Sequence, residues 1–232
     1  MRALILTLVL IGCRTREEPH TGAATPNTAP PSAPSPSTES ATAAVRSPPP
    51  PSLVDLADFI PDVIVDMRYR DDGNFTGSPL PGYGANRCWL RREVAEAAAR
   101  AATVLASREW RLKVWDCWRP LSATKAMVAW AKRVGREDLL GVYIGARSMH
   151  NAGVAVDLTL ADANGLQGDM GTPFDEFSER AHTANATGNI LERRLVLKRA
   201  MEAAGFTAYS KEWWHFYIAL PNRRPLNGTI RP

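Results

Sequence analysis

The sequence predicts an α+β fold: a single domain with a mainly antiparallel central sheet, helices packed to one side, and the functional site in a cleft on the sheet. Two observations carry this. Segments that read as strands and as helices do not alternate regularly, which argues against a doubly wound parallel sheet. And residues 53–232 form one stretch of ordinary globular composition, long enough for a single core, with no internal repeat.

The elements follow in order. Residues 62–69, Asp62-Val63-Ile64-Val65-Asp66-Met67-Arg68-Tyr69, are dense in β-branched side chains and predict a strand. Residues 74–79 and 81–84 carry the Gly and Pro of loops. From Leu90 to about Ser107, Val94, Ala98, Ala101 and Leu105 share one face, the pattern of an amphipathic helix. Arg111 to Asp116 is a short strand leading into Cys117-Trp118-Arg119-Pro120. Ser122 is placed to cap a second helix that runs through Val134 and stops at Gly135. Residues 154–160 alternate as a strand, 191–204 form a third helix ended by Gly205, and 213–219 give the last strand.

The N-terminus reads differently. Met1-Arg2 is cationic and Ala3 through Ile11 is nearly all apolar, a run too short to span a bilayer but suited to a secretory signal. Leu10-Ile11-Gly12-Cys13 resembles a bacterial lipobox, which implies cleavage before Cys13 and a lipid on its sulfur. Arg14 after the cysteine resembles an outer-membrane address. The expected location is therefore the bacterial cell envelope, periplasm or outer membrane rather than cytoplasm, with the membrane touched only through the anchor. Residues 14–52 are rich in Pro, Ser, Thr and Ala and end in the run Pro48–Pro51. Such a segment buries too little apolar surface to fold. It predicts a disordered tether with a reach on the order of 30–40 Å.

The net charge of +4 is small, and basic residues are interspersed with acids. No basic and aromatic patch points to nucleic acid. Besides Cys13, the cysteines are Cys88 and Cys117. In an exported domain they are candidates for a disulfide, but sequence leaves open whether their backbones approach closely enough.

Chemistry concentrates in two segments: residues 148–157, Ser148-Met149-His150-Asn151-Ala152-Gly153-Val154-Ala155-Val156-Asp157, and residues 212–215, Glu212-Trp213-Trp214-His215. His150, Asp157 and His215 offer two imidazoles and a carboxylate. Three protein ligands with one open position is what catalytic zinc requires. Glu212 would stand beside the metal as a proton acceptor. Arg119, between a strand and Pro120, carries a permanent donor fork suited to an oxyanion. Each signal has a plainer reading when taken alone: a structural His-Asp pair, a chance i,i+3 spacing, a surface arginine. Their combination points to a zinc peptidase.

The sequence resembles the zinc D-alanyl-D-alanine dipeptidases, the VanX-type enzymes and their relatives. The residues that carry the likeness are Asn74-Phe75-Thr76-Gly77, Cys88-Trp89-Leu90-Arg91-Arg92-Glu93-Val94, Asp116-Cys117-Trp118-Arg119-Pro120, Arg147-Ser148-Met149-His150, residues 153–160, residues 169–175 ending in Asp175, and Glu212-Trp213-Trp214-His215-Phe216. The likeness implies one zinc ion on His150, Asp157 and His215, with Glu212 as catalytic base and Arg119 stabilising the intermediate. It also implies Asp175 near the substrate amino group and Ser148 near the other end of a small D,D-dipeptide. Trp213 and Trp214 would close the pocket, although core packing explains either one equally well. Trp118, Met149 and Asn151-Ala152 depart from the family pattern, and these departures bear on substrate preference. Two alternatives stay open: a D,D- or L,D-carboxypeptidase acting on peptidoglycan stems, and a catalytically silent, zinc-stabilised module that binds wall peptides. Oligomeric state is not legible.

Overall fold

The computed structural model describes residue 50, residues 52–221 and residues 223–231. Cys13 and nearly all of the tether at 14–52 lie outside the described residues.

Two sheets form the domain. A small antiparallel pair joins β1 (Leu53–Asp55) to β3 (Trp89–Arg91). A five-stranded sheet runs in the order β2 (Ile64–Val65), β4 (Arg111–Asp116), β5 (Ala155–Ala161), β7 (His215–Tyr217), β6 (Thr207–Ala208). Only the β2–β4 pair is parallel; the other three are antiparallel. The mainly antiparallel α+β reading holds. Helices α1 (Arg92–Ala106) and α3 (Gly188–Ala203) pack on each other, α1 against β4 and α3 against β6. Val94, Ala98, Ala101 and Leu105, the predicted stripe, are all fully buried. Helix α2 (Leu121–Arg133) follows Arg119 and Pro120, and its Met127 lines a cavity that Arg119 also borders. Among the described residues no helix is long and apolar enough to cross a membrane.

The differences from expectation have local causes. The strand expected over residues 62–69 keeps only Ile64–Val65. Asn86 Oδ1 accepts from the Met67 amide at 2.8 Å and draws the chain off the ladder. Residues 68–70 then wind as a 3-10 turn that buries Tyr69. Leu90 belongs to β3 rather than to α1, because the Arg91 amide is held by the Gly153 carbonyl at 2.9 Å. Ser122 does not cap α2: its hydroxyl donates to the Pro81 carbonyl at 2.9 Å, and the cap position is Pro120. The stops at Gly135 and Gly205 stand, with φ of 72° and 103° in the region that favours glycine. Strands β1, β3 and β6, each three residues or fewer, carry too little pattern to be read from sequence.

Cys88 and Cys117 are joined, with Cα atoms 5.3 Å apart, and both are fully buried. The bond links the segment entering β3 to the segment leaving β4.

Candidate active site

The site begins with the alternation of β5. Val156, Leu158 and Leu160 face one side of the sheet, and Asp157 faces the other. Pairing places Asp157 opposite His215 on β7. On β4 the register shifts between Val114 and Asp116, so that Asp116 also lies opposite Asp157. Simple alternation would have left Asp116 on the side of Leu112 and Val114; the bulge turns it to the other. One row, Asp116, Asp157, His215, thus crosses three neighbouring strands.

His150 reaches this row from a 3-10 turn, Met149–Ala152, immediately before β5. The Ser148 hydroxyl accepts from the His150 amide at 3.3 Å, and the Asn151 side-chain oxygen accepts from the Ser148 amide at 3.2 Å. Gly153 ends the turn at φ 67°. A Cβ there would lie 2.6 Å from Leu53 Cδ2, so both conformation and space call for glycine.

The tautomer of His150 follows from its partner. The Cys117 carbonyl can only accept, so the 2.7 Å contact places a proton on His150 Nδ1 and leaves a lone pair on Nε2. That Nε2 lies 3.1 Å from His215 Nδ1 and 3.2 Å from Asp157 Oδ2. His215 Nδ1 lies 2.8 Å from Asp157 Oδ1. The three ligand atoms all fall within 4.8 Å of one another. Two imidazole nitrogens and one carboxylate oxygen, converging with an imidazole lone pair directed inward, fit a zinc ion with an open coordination position.

Charges around this set shift their neighbours. Burial works against the Asp157 anion, but His150 and His215 outweigh it and hold the carboxyl well below its usual range. Burial lowers His215, favouring the neutral ring that ligates. Glu212, nearly buried, is pushed well above the usual carboxylate range by burial and then by Asp157 and Asp175. It shares one turn with His215, whose amide donates to the Glu212 carbonyl at 3.2 Å, so both side chains face the same cavity. Asp175 is raised by desolvation and then by Asp157. Its carboxylate accepts from the Tyr69 hydroxyl at 3.0 and 3.1 Å, and its φ of 62° is a left-handed conformation that aspartate tolerates better than most residues.

Arg119 is buried with a dedicated counterion. Its Nε donates to Asp116 Oδ2 at 2.8 Å, its Nη2 lies 2.7 Å from the same oxygen, and Asp157 Oδ2 is 3.7 Å away. Burial alone would weaken this cation; Asp116, Tyr69 and Tyr83 more than offset it and keep it protonated. Asp116 Oδ1 in turn accepts from the Tyr83 hydroxyl at 2.5 Å and from the Cys117 amide at 2.9 Å. Asn151 donates to the Arg119 carbonyl at 2.9 Å and to Thr124 Oγ1 at 2.8 Å, fixing the backbone beneath the guanidinium.

One cavity gathers these groups. It is lined by Arg119, Ser148, His150, Asp157, Asp175, Glu212, Trp214 and His215, among others. Of the catalytic, metal-binding and substrate-binding residues expected from sequence, only Trp213 falls outside it. Trp213 is core: its Nε1 donates to Thr172 Oγ1 at 2.8 Å and its ring packs on Trp115. Four contributors had escaped notice as site residues, Tyr69, Tyr83, Asp116 and Asn151. A bulge, two 3-10 turns and a loop bring them in, and none of these leaves a periodic trace.

The comparisons with known proteins agree with this geometry. A D-ala-D-ala dipeptidase family model matches residues 51–223. A D-alanyl-D-alanine dipeptidase of Enterococcus faecium is 34% identical over 181 residues, covering 70% of this chain and 89% of that protein. One from Escherichia coli is 34% identical over 176 residues, covering 75% of this chain and 88% of that protein. A solved vancomycin resistance D,D-dipeptidase, VanXYg in complex with a D-Ala-D-Ala phosphinate analogue, overlaps only loosely. It is 20% identical, with a TM-score of 0.38 over 74% of this chain and 68% of that one. On the strength of the family match and the sequence relatives, this chain belongs to the D-ala-D-ala dipeptidase family of peptidases.

Proposed function

We propose that the protein hydrolyses D-alanyl-D-alanine, or a similarly small D,D-dipeptide, with one zinc ion held by His150, Asp157 and His215. The observation that carries this reading is the convergence of the three ligand atoms, the Glu212 carboxyl and the Arg119 guanidinium on one small cavity.

Zinc at this donor set would supply Lewis acidity toward a water molecule and a peptide carbonyl. Glu212 accepts the proton as the water oxygen attacks the carbonyl carbon, and returns a proton to the amine as the C–N bond breaks. Its raised proton affinity suits both steps. Arg119, held charged and aimed by Asp116, donates to the oxygen that becomes anionic. Asp175 with its Tyr69 partner would offer an acceptor for a free ammonium, and Ser148, lining the same cavity, would meet the terminal carboxylate. A peptidoglycan stem has no free ammonium next to its scissile bond, which favours the dipeptidase over the carboxypeptidase reading. Glu212 argues against a silent binding module, which has no use for a base beside the metal.

We place the enzyme in the bacterial envelope on a lipid at Cys13, touching the membrane through that anchor alone. The Leu10-Ile11-Gly12-Cys13 motif supports this, and so does the disulfide, since such bonds persist mainly in oxidising compartments. In that location, turnover or scavenging of dipeptides released from the wall fits better than depletion of a cytosolic precursor.

The test is release of free D-alanine by the zinc-loaded protein, with D-Ala-D-Ala, L-Ala-L-Ala and a muramyl pentapeptide offered side by side. Release from D-Ala-D-Ala alone is expected. Release from the pentapeptide instead would move the protein to the carboxypeptidases.

A further inference from the structure

Where β4 ends at Asp116, the chain leaves the ladder and carries Cys117, Trp118 and Arg119 into the site within three residues. Cys117 is the hub of this segment through all three of its groups. Its amide donates to Asp116 Oδ1 at 2.9 Å, the carboxylate that aims Arg119. Its carbonyl accepts from His150 Nδ1 at 2.7 Å, the contact that sets the ligating tautomer. Its sulfur is bonded to Cys88. Cys88 itself sits against the small β1–β3 sheet, where its carbonyl accepts from the Leu56 amide at 2.8 Å. The next residue, Trp89, accepts from the Trp118 amide at 2.8 Å. The crosslink therefore ties a segment that orients both a metal ligand and the site arginine to a separate sheet.

We infer that the Cys88–Cys117 disulfide is a positioning element of the metal centre, holding the Cys117 carbonyl against His150 and the Cys117 amide against Asp116. This rests on the reading of His150, Asp157 and His215 as zinc ligands. A ring nitrogen's partner behind a metal ligand is commonly worth about 10–100-fold in metal affinity. Freeing Cys117 from Cys88 leaves that partner on a segment held by hydrogen bonds alone.

The experiment compares three forms of the protein: the oxidised wild type, the wild type reduced with a phosphine and desalted, and the Cys88→Ala/Cys117→Ala double variant. In the reduction, the phosphine gives up two electrons and takes oxygen from water, while the disulfide gains two electrons and two protons to become two thiols. Zinc affinity is read by competition with a chromophoric chelator, near-UV circular dichroism reports tertiary packing, and thiol titration confirms reduction. Weaker zinc binding by about 10–100-fold in both altered forms, with native near-UV spectra, is expected. The downfield Nδ1–H proton resonance of His150 should broaden in the same two forms, a signal that a crosslink serving stability alone would not move. Unchanged zinc affinity with the bond gone would overturn the inference. Loss of the near-UV spectrum in both forms would also overturn it, since the bond would then hold the whole domain and not the site. If the oxidised wild type binds no zinc, the ligand reading itself fails, and the inference with it.

Discussion

The two faces of the β4–β5–β7 ladder are chemically opposite. On one, Leu112, Val114, Val156, Leu158, Leu160 and Phe216 are at most 1% exposed and purely apolar. On the other, Asp116 at 0% and Asp157 at 3% sit beside the half-buried His215. The apolar face stabilises by removing hydrocarbon from water. The polar face carries a desolvation cost that is offset only because each charge has partners: Asp116 with Arg119, Tyr83 and the Cys117 amide; Asp157 with two imidazoles. Stability and function are thus separated by the thickness of a single sheet, and substitutions on each side should report on only one of them.

The largest expected effect is on the polar side. Glu212→Gln keeps the shape of the side chain and removes its proton chemistry. The rate of D-Ala-D-Ala cleavage should fall by about 10²–10⁴-fold, the usual span for a general acid–base group. Zinc affinity and thermal stability should hold, and in the metal-free protein stability should not decrease, because burial already disfavours the Glu212 anion. A glutamine variant that retained full turnover would end the assignment of Glu212 as the base. One that lost zinc would show that the two faces, and the roles within the polar one, are not separable in this way.

The converse substitution is Leu158→Ala. Leu158 neighbours Asp157 on the strand and points the other way, fully buried. Truncation should cost about 2–5 kcal/mol of unfolding free energy through lost transfer and a residual cavity. At a temperature where the variant remains folded, kcat and zinc affinity should stay within a few-fold of the parent. Denaturant unfolding and chelator competition on the same preparation give both numbers. A large loss of zinc affinity without a stability loss would contradict the comparison.

The apolar face was legible in the sequence, and the polar face only partly so. Val94, Ala98, Ala101 and Leu105 on α1 and the alternation of β5 are periodic, and periodicity survives translation into structure. His150, Asp157, Glu212 and His215 were legible as residue types suited to zinc and to proton transfer, and the cavity brings all four together. The supports were not. Asp116 has the wrong phase for the site until the bulge shifts it, and a bulge has no signature in a single sequence. Tyr69 falls in a stretch whose β-branched residues favour a strand, yet the Asn86 side chain captures the Met67 amide and turns the chain. Trp213 and Trp214 look interchangeable as letters; adjacent positions in a turn send Trp214 to the cavity and Trp213 to the core. Long-range partners decide such positions, and local pattern does not contain them.

The smallest effect expected is the pH dependence of the polar face when its metal is stripped. Glu212 is raised by burial, then by Asp157 and Asp175; Asp175 is raised by desolvation, then by Asp157. For both, the folded state holds the proton more tightly than the unfolded chain. The stability they contribute is full below the ordinary carboxylate range and is lost as pH rises through the raised values. His215, lowered chiefly by burial, acts in the opposite sense below its ordinary value near 6.5, where the unfolded chain is the better proton binder. Asp157, held low, also acts in the opposite sense, but only at acid pH. Once pH exceeds the ordinary carboxylate range the two acids pull the melting temperature of the chelated protein down as pH rises, and His215 opposes them only while it titrates. Asp175→Asn should make that decline shallower. Leu158→Ala should lower the whole curve and leave its slope alone, since nothing on the apolar face titrates. A bound cation should flatten the wild-type curve by compensating the carboxylates that repel one another. A decline of equal slope in the Asp175→Asn protein would place the titrating groups elsewhere and remove Asp175 from the electrostatics of the site.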